Sequence, residues 1–274
     1  MEYREAHGAR IPAIGLGTWP MRGAECAQAV AEAIAAGYRH IDTAVSYGNE
    51  EGVGEGIRAS GFPREQLFVT TKIPAEQMTP EACQRSLEGT LQRLGLSYVD
   101  LVLIHWPSQR LSVASTMGPL NEVKRRGLAR NLGVSNFTSK QIGEAWAATK
   151  EPLVANQCEY HPYLNQDRVI AACREKGMVF ICYCPLGRGL AFDEPVIAKA
   201  AAVRKVTPAQ IVLRWEMQQD GVAAIPKSGD PERIRSNMDV FSFTLTPAEM
   251  GAISALGRSH HERICESSWI KWDS

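Results

Sequence analysis

The chain has 274 residues, 45% hydrophobic and 22% charged, with 30 basic side chains balanced by 30 acidic ones. That apolar share excludes a disordered chain, and the zero net charge removes any global field toward nucleic acid or an anionic membrane. Glu2, Arg4, Glu5 and Arg10 interrupt the first fifteen residues, and no run of roughly twenty apolar residues follows, so neither a secretory leader nor a membrane span is expected. A cytoplasmic protein is expected, with no nucleic-acid or membrane partner. Its seven cysteines, an odd number without framework spacing, read as free thiols in a reducing compartment. Cys182 and Cys184 sit two apart in a strand-like run, on one face, and no neighbouring motif supplies further metal ligands. Core thiols and no metal are the expectation.

In chain order, residues 3–14 read as a hairpin, and strand-like apolar runs follow at 13–17, 39–42, 67–72, 99–105, 129–134, 154–159, 179–183 and 222–225. Helix-like segments separate them. Residues 80–94 form the clearest, with Thr79 placed to cap, Pro80 at the first helical position and Gly95 at the close. Thr207 and Pro208 start a helix to about Gln219, and Thr246 and Pro247 start another near the C-terminus. Eight strands alternating with helices, without a linker rich in Ser, Gly or Pro, match an α/β fold of the (β/α)₈ TIM-barrel type, one domain over 1–274 with an N-terminal β-hairpin. A doubly wound open sheet is the alternative. Against it, Gly15, Gly17, Gly52, Gly54 and Gly56 do not form a GxGxxG opening a helix.

Polar residues at C-terminal strand ends face a barrel's shared mouth. Asp42 ends the second strand, Tyr47 follows it, Lys72 ends the third and His105 the fourth. Each alone has an ordinary explanation as a cap, a groove filler or a satisfied polar group. Together they suit carbonyl reduction, which needs a proton donor for the developing alkoxide. Tyr47 can donate it, Lys72 is expected to lower the tyrosine pKa, Asp42 to keep Lys72 charged, and His105 to orient the carbonyl.

The segments HIDTAVSYGNE (40–50), TTKI (70–73), LIHWP (103–107) and IPKS (225–228), with GLGTWPM (15–21) and GVSNF (133–137), resemble the aldo-keto reductase family over nearly the whole chain. The resemblance implies Tyr47 as general acid, with Asp42, Lys72 and His105 completing a tetrad, and NADPH as cofactor. It places Thr18 in the first cofactor loop, Ser135, Asn136 and Gln157 on the nicotinamide carboxamide, and Tyr183 against the ring. In CPLGRG (184–189), Pro185, Leu186 and Gly187 fall on the pyrophosphate loop, whose glycines let backbone amides approach phosphate. Ile225, Lys227, Ser228, Arg233 and Asn237 fall on the adenosine end, where Lys227, Ser228 and Arg233 meet the 2′-phosphate.

Ser236 stands where many members have a glutamate, and Asp230 adds a negative charge near that phosphate. Trp19 and Trp106 resemble the walls of a substrate pocket. The short loop after Pro107, and only 18 residues after Leu256, imply an open pocket for small carbonyl compounds. A monomer is expected. Two other readings remain at this level: a Schiff-base aldolase using Lys72, and a non-catalytic, redox-sensing nucleotide-binding protein.

Overall fold

The computed structural model describes residues 1–273. Strands β1 (Tyr3–Ala6) and β2 (Ala9–Pro12) form an antiparallel hairpin. There follow β3 (Leu16–Gly17), α1 (Gly23–Ala35), β4 (His40–Asp42), α2 (Glu50–Ala59), β5 (Phe68–Ile73), α3 (Pro80–Leu94), β6 (Val99–Ile104) and α4 (Val113–Arg125). The second half runs β7 (Ala129–Ser135), α5 (Ser139–Ala148), β8 (Leu153–Glu159), α6 (Asp167–Glu175), β9 (Val179–Tyr183), α7 (Pro195–Arg204), α8 (Pro208–Met217), β10 (Val222–Ala224), α9 (Pro231–Met238) and α10 (Pro247–His260). None of these helices is long and apolar enough to cross a membrane.

Strands β3 to β10 pair in parallel in sequence order, and Ile14 bridges to Ala224 to close the circle. Across this seam Gly15 N–H donates to Ala224 O at 2.9 Å, and Gly17 N–H to Pro226 O at 3.0 Å. The result is the expected (β/α)₈ barrel. Its strands are short at the seam: β3 holds two residues and β10 three, against the longer runs read from sequence.

Strand alternation produces two cores, because both faces of a barrel strand are buried. Leu101 and Leu103 of β6, Val179 and Ile181 of β9, and Ala155 of β8 fill the interior. Val102, Ile104, Phe180 and Cys182 face the helices. Ala6, Ala9 and Ile11 of the hairpin join the interior cluster, so β1 and β2 plug the N-terminal end of the barrel.

Of the three helix starts expected from sequence, two are capped by their threonine and one is not. Thr207 and Thr246 each form a capping box, with Gln210 and Glu249 reaching back from the third helical position. Thr79 makes no side-chain cap, contrary to expectation, although its backbone is extended as at the other caps. Gly95 does close α3 in the left-handed conformation, at φ 66°. All seven cysteines are free. Cys182 lies in the outer core, but Cys184 has left the strand at φ 52°, so the two do not share a face as expected.

Candidate active site

Side chains that point inward near the C-terminal ends of the strands build the site layer by layer. Asp42 of β4 stands opposite Thr70 of β5, and Lys72 lies two residues further along the same face. Both are buried. Lys72 Nζ donates to Asp42 Oδ1 at 2.5 Å, to the Thr43 carbonyl at 3.0 Å and to Tyr47 Oη at 3.1 Å. An ammonium has three protons and no acceptor, so all three are spent. Tyr47 receives a hydrogen bond from Lys72 and keeps its own hydroxyl proton for another acceptor. The second Asp42 oxygen accepts from Gln157 Nε2 at 2.7 Å, which fixes the carboxylate from β8.

The electrostatics differ from the expectation at Tyr47. Its pKa is raised, because burial outweighs the opposing pull of Lys72, and the negative charge of Asp42 adds to the upward shift. Tyr47 therefore holds its proton firmly at neutral pH. Lys72 is also raised: burial pulls it down, but the charges and hydrogen bonds of Asp42 and Tyr47 prevail. His105 lies edge-on to the Tyr47 ring, with centroids 5.7 Å apart. Burial first, then Lys72, lowers its pKa to about 3, so the imidazole is neutral. Its Nδ1 lies 3.2 Å from Ser46 Oγ. With Nδ1 accepting from Ser46, Nε2 carries the proton.

The next layer comes from β7, β8 and β9. Asn136, at φ 62°, turns out of β7 so that its Nδ2 donates to the His105 carbonyl at 3.0 Å and to Ser135 Oγ at 3.1 Å. Tyr183 Oη donates to Asn136 Oδ1 at 2.9 Å. Thr18 Oγ1 donates to the Asp42 carbonyl at 2.9 Å, and Asn49 braces Thr18 from the start of α2. Asn49 is a site residue that motif reading missed, although it lies inside the HIDTAVSYGNE segment.

One cavity of about 750 Å³ joins these groups. Thr18, Trp19, Asp42, Tyr47, His105, Trp106, Ser135, Asn136, Gln157, Tyr183, Pro185, Leu186, Ile225, Lys227, Ser228, Arg233 and Asn237 all line it. Lys72 sits behind Asp42 and Tyr47. Gly187 does not line the cavity either: its amide turns back to the Cys184 carbonyl at 2.9 Å, and a Cβ there would meet His161 at 3.0 Å. Gly187 shapes the loop, with Arg188 and Gly189 at φ 55° and 88°, and does not itself face the cavity.

The Asp230 carboxylate caps α9, accepting the Arg233 amide at 2.9 Å, and that bond lowers its pKa, so a negative charge stands at the helix start beside Arg233.

The pocket is not open at its far side. Trp106 lies 6.2 Å from Trp269 and 6.3 Å from Trp272, centroid to centroid, and Cys265 lines the cavity. The chain after α10 folds back over the mouth, which counting residues beyond Leu256 did not reveal. A terminal stretch with two tryptophans was the available signal.

A barrel whose C-terminal mouth holds Asp42, Lys72, Tyr47 and His105 around a long cavity has the architecture of a carbonyl oxidoreductase. The sequence profile of the Aldo/keto reductase family matches residues 13–258, and the chain belongs to that family. It is 43% identical over 247 residues to an aldo-keto reductase of Mycolicibacterium vanbaalenii, covering 90% of this chain and 88% of that protein. It is 40% identical over 264 residues to a morphine 6-dehydrogenase of Pseudomonas putida, covering 91% and 89%. A solved structure described as a candidate 2,5-diketo-D-gluconic acid reductase B superposes with a TM-score of 0.96 at 38% identity, over 100% of this chain and 98% of that one.

Proposed function

We propose that the protein reduces aldehydes or ketones to alcohols with NADPH, Tyr47 supplying the proton. The observation that carries this is the spent lysine: with all three Lys72 protons engaged, Tyr47 presents its own proton to the cavity. The raised Tyr47 pKa keeps that proton in place until an alkoxide forms beside it, and an alkoxide is basic enough to take it. Neutral His105 donates from Nε2 to the same oxygen and sets its direction. Asp42 and Gln157 hold Lys72 in register, so the proton donor does not rotate away.

The donor set fits a nicotinamide dinucleotide phosphate. Ser135 Oγ and Asn136 Oδ1 each keep a lone pair for a carboxamide amine, Gln157 keeps its Oε1 and one Nε2 proton, and Tyr183 offers a planar face. At the other end Lys227 and Arg233 are exposed at the cavity, where a 2′-phosphate would need charge-assisted bonds. When bound, the cofactor supplies the hydride for the carbonyl carbon. Trp19 and Trp106 form an apolar wall for the substrate's remaining groups, with Trp269 and Trp272 packed against Trp106 from behind.

The same geometry disfavours an aldolase: Lys72 is buried, protonated and triply bonded, whereas Schiff-base formation needs a free amine. The reading also takes the protein as a cytoplasmic monomer. The test is to follow NADPH absorbance with a panel of aldehydes and ketones. Oxidation dependent on the carbonyl compound is expected; binding without turnover would instead support a nucleotide-sensing role, and borohydride trapping on Lys72 an aldolase.

A further inference from the structure

Residues 261–273 have no helix or strand of their own, so something other than a backbone ladder must hold them over the mouth. One anchor is Glu159, at the end of β8. Residues 155, 157 and 159 share the inward face of that strand, so Glu159 stands one layer above Gln157, at the level of the rim. It is fully buried. A buried carboxylate is costly unless donors surround it, and here three do. Ile264 N–H donates to Oε1 at 2.6 Å, Cys265 N–H to Oε2 at 2.7 Å, and His161 Nε2 lies 3.0 Å from Oε1.

Two of the three donors belong to the tail, so carboxylate and tail secure each other. The far end has a second anchor: Asp273 accepts the Ser139 amide at 2.7 Å and its hydroxyl at 2.6 Å, at the start of α5. Between these anchors Ser267 and Ile270 are buried, the Arg263 guanidinium lies 3.7 Å above the Trp272 ring, and both tail tryptophans face Trp106.

We propose that Glu159 is a positioning residue, the latch that holds the segment 264–273 as one wall of the carbonyl pocket and thereby selects substrates by bulk and aromatic character. This rests on the reductase reading for its substrate, but the latch itself can be tested without turnover. Glu159→Gln keeps the volume while replacing one acceptor oxygen by an amide that cannot accept from the tail. Asp273→Ala releases the other anchor at the periphery and leaves β8 untouched.

Trypsin cuts after arginine, and Arg263 is stacked against Trp272, so cleavage there requires the tail to lift. Both variants are expected to be cut after Arg263 roughly 10 to 100-fold faster than wild type under native conditions, as loss of charge-assisted bonds predicts for local opening. KM for naphthaldehyde should rise about tenfold, while kcat and KM for propanal, which is too small to span to the tail, stay within about twofold.

Unchanged cleavage in Glu159→Gln overturns the latch, whatever Asp273→Ala does. Faster cleavage with equal KM changes for the two aldehydes, or with none, overturns the selection. If wild type turns over neither aldehyde, the reductase reading has failed on its own; cleavage then decides the latch, and quenching of tryptophan fluorescence by naphthaldehyde decides the selection. If Glu159→Gln does not fold, Glu159→Asp, which keeps the charge but shortens its reach to the Ile264 and Cys265 amides, takes its place in the same measurements.

Discussion

Tyr47 shows how one residue's role is set by the groups that touch it. Lys72 does not make it a phenolate; it fixes the hydroxyl oxygen and leaves the proton pointing elsewhere. Tyr47→Phe should lower carbonyl reduction roughly 10² to 10⁴-fold, the usual contribution of a positioned acid, with cofactor affinity within a few-fold of wild type. Steady-state rates beside a fluorescence titration check it, and turnover above about a tenth of wild type would contradict the assignment. At the adenosine end, Arg233→Ala should weaken NADPH roughly 10 to 150-fold and NADH much less, since only the 2′-phosphate differs. Equal losses for both cofactors would mean that Arg233 merely supports the loop. Asp230→Ala removes a helix cap as well as a charge, so it should lower the melting temperature, whatever it does to NADPH.

Among the elements, α8 combines a well-formed start with an unfavourable last turn. Its capping box and Pro208 define the first turn, yet Glu216 is fully buried with both carboxylate oxygens unpartnered. Burial raises its pKa well above the ordinary carboxylate value. The folded protein therefore keeps a proton on Glu216 over a range where the unfolded chain has released it. A raised pKa contributes stability that is full below the unfolded value of about 4.3 and is lost as pH rises, at about 1.4 kcal/mol per unit, until the folded value is reached. Glu216→Gln removes this dependence. The variant's melting temperature should exceed that of wild type at pH 8 by more than it does at pH 5; equal differences at the two values would show that Glu216 does not titrate on unfolding.

For the whole molecule, closure of the barrel depends on how near the two end strands approach. A Cβ on Gly17 would lie 2.8 Å from the Ile225 carbonyl across the seam, and backbone on both sides cannot step aside as a side chain could. Gly17→Ala should cost about 1 to 3 kcal/mol, a strain comparable to overpacking. Gly143→Ala on α5, where nothing lies within 4 Å, should instead stabilise by about 0.4 to 1 kcal/mol. Thermal melts of both variants provide the check: a neutral Gly17→Ala would mean that the seam can spread. Strain at Gly17 should also reach the site, since this residue lines the cavity beside Thr18.

By itself the sequence determined what depends on neighbours along the chain. Apolar runs and turn residues placed eight strands in order; Thr207 and Thr246 announced their caps because the bonding partner lies three residues on. Asp42, Lys72, Tyr47 and His105 were legible because each ends or follows a recognisable strand, and parallel pairing of adjacent strands must bring those ends together. Tertiary structure decided the rest. Thr79 turned out to make no side-chain cap, and Gly187 turned toward His161 instead of the cavity.

The sign of the Tyr47 shift depended on weighing burial against the pull of Lys72, a balance that residue types alone do not contain. The roof over the pocket joins Glu159 to Ile264, 105 residues apart. Periodicity and turn chemistry act over a few residues, whereas a contact of that separation exists only after the chain has folded.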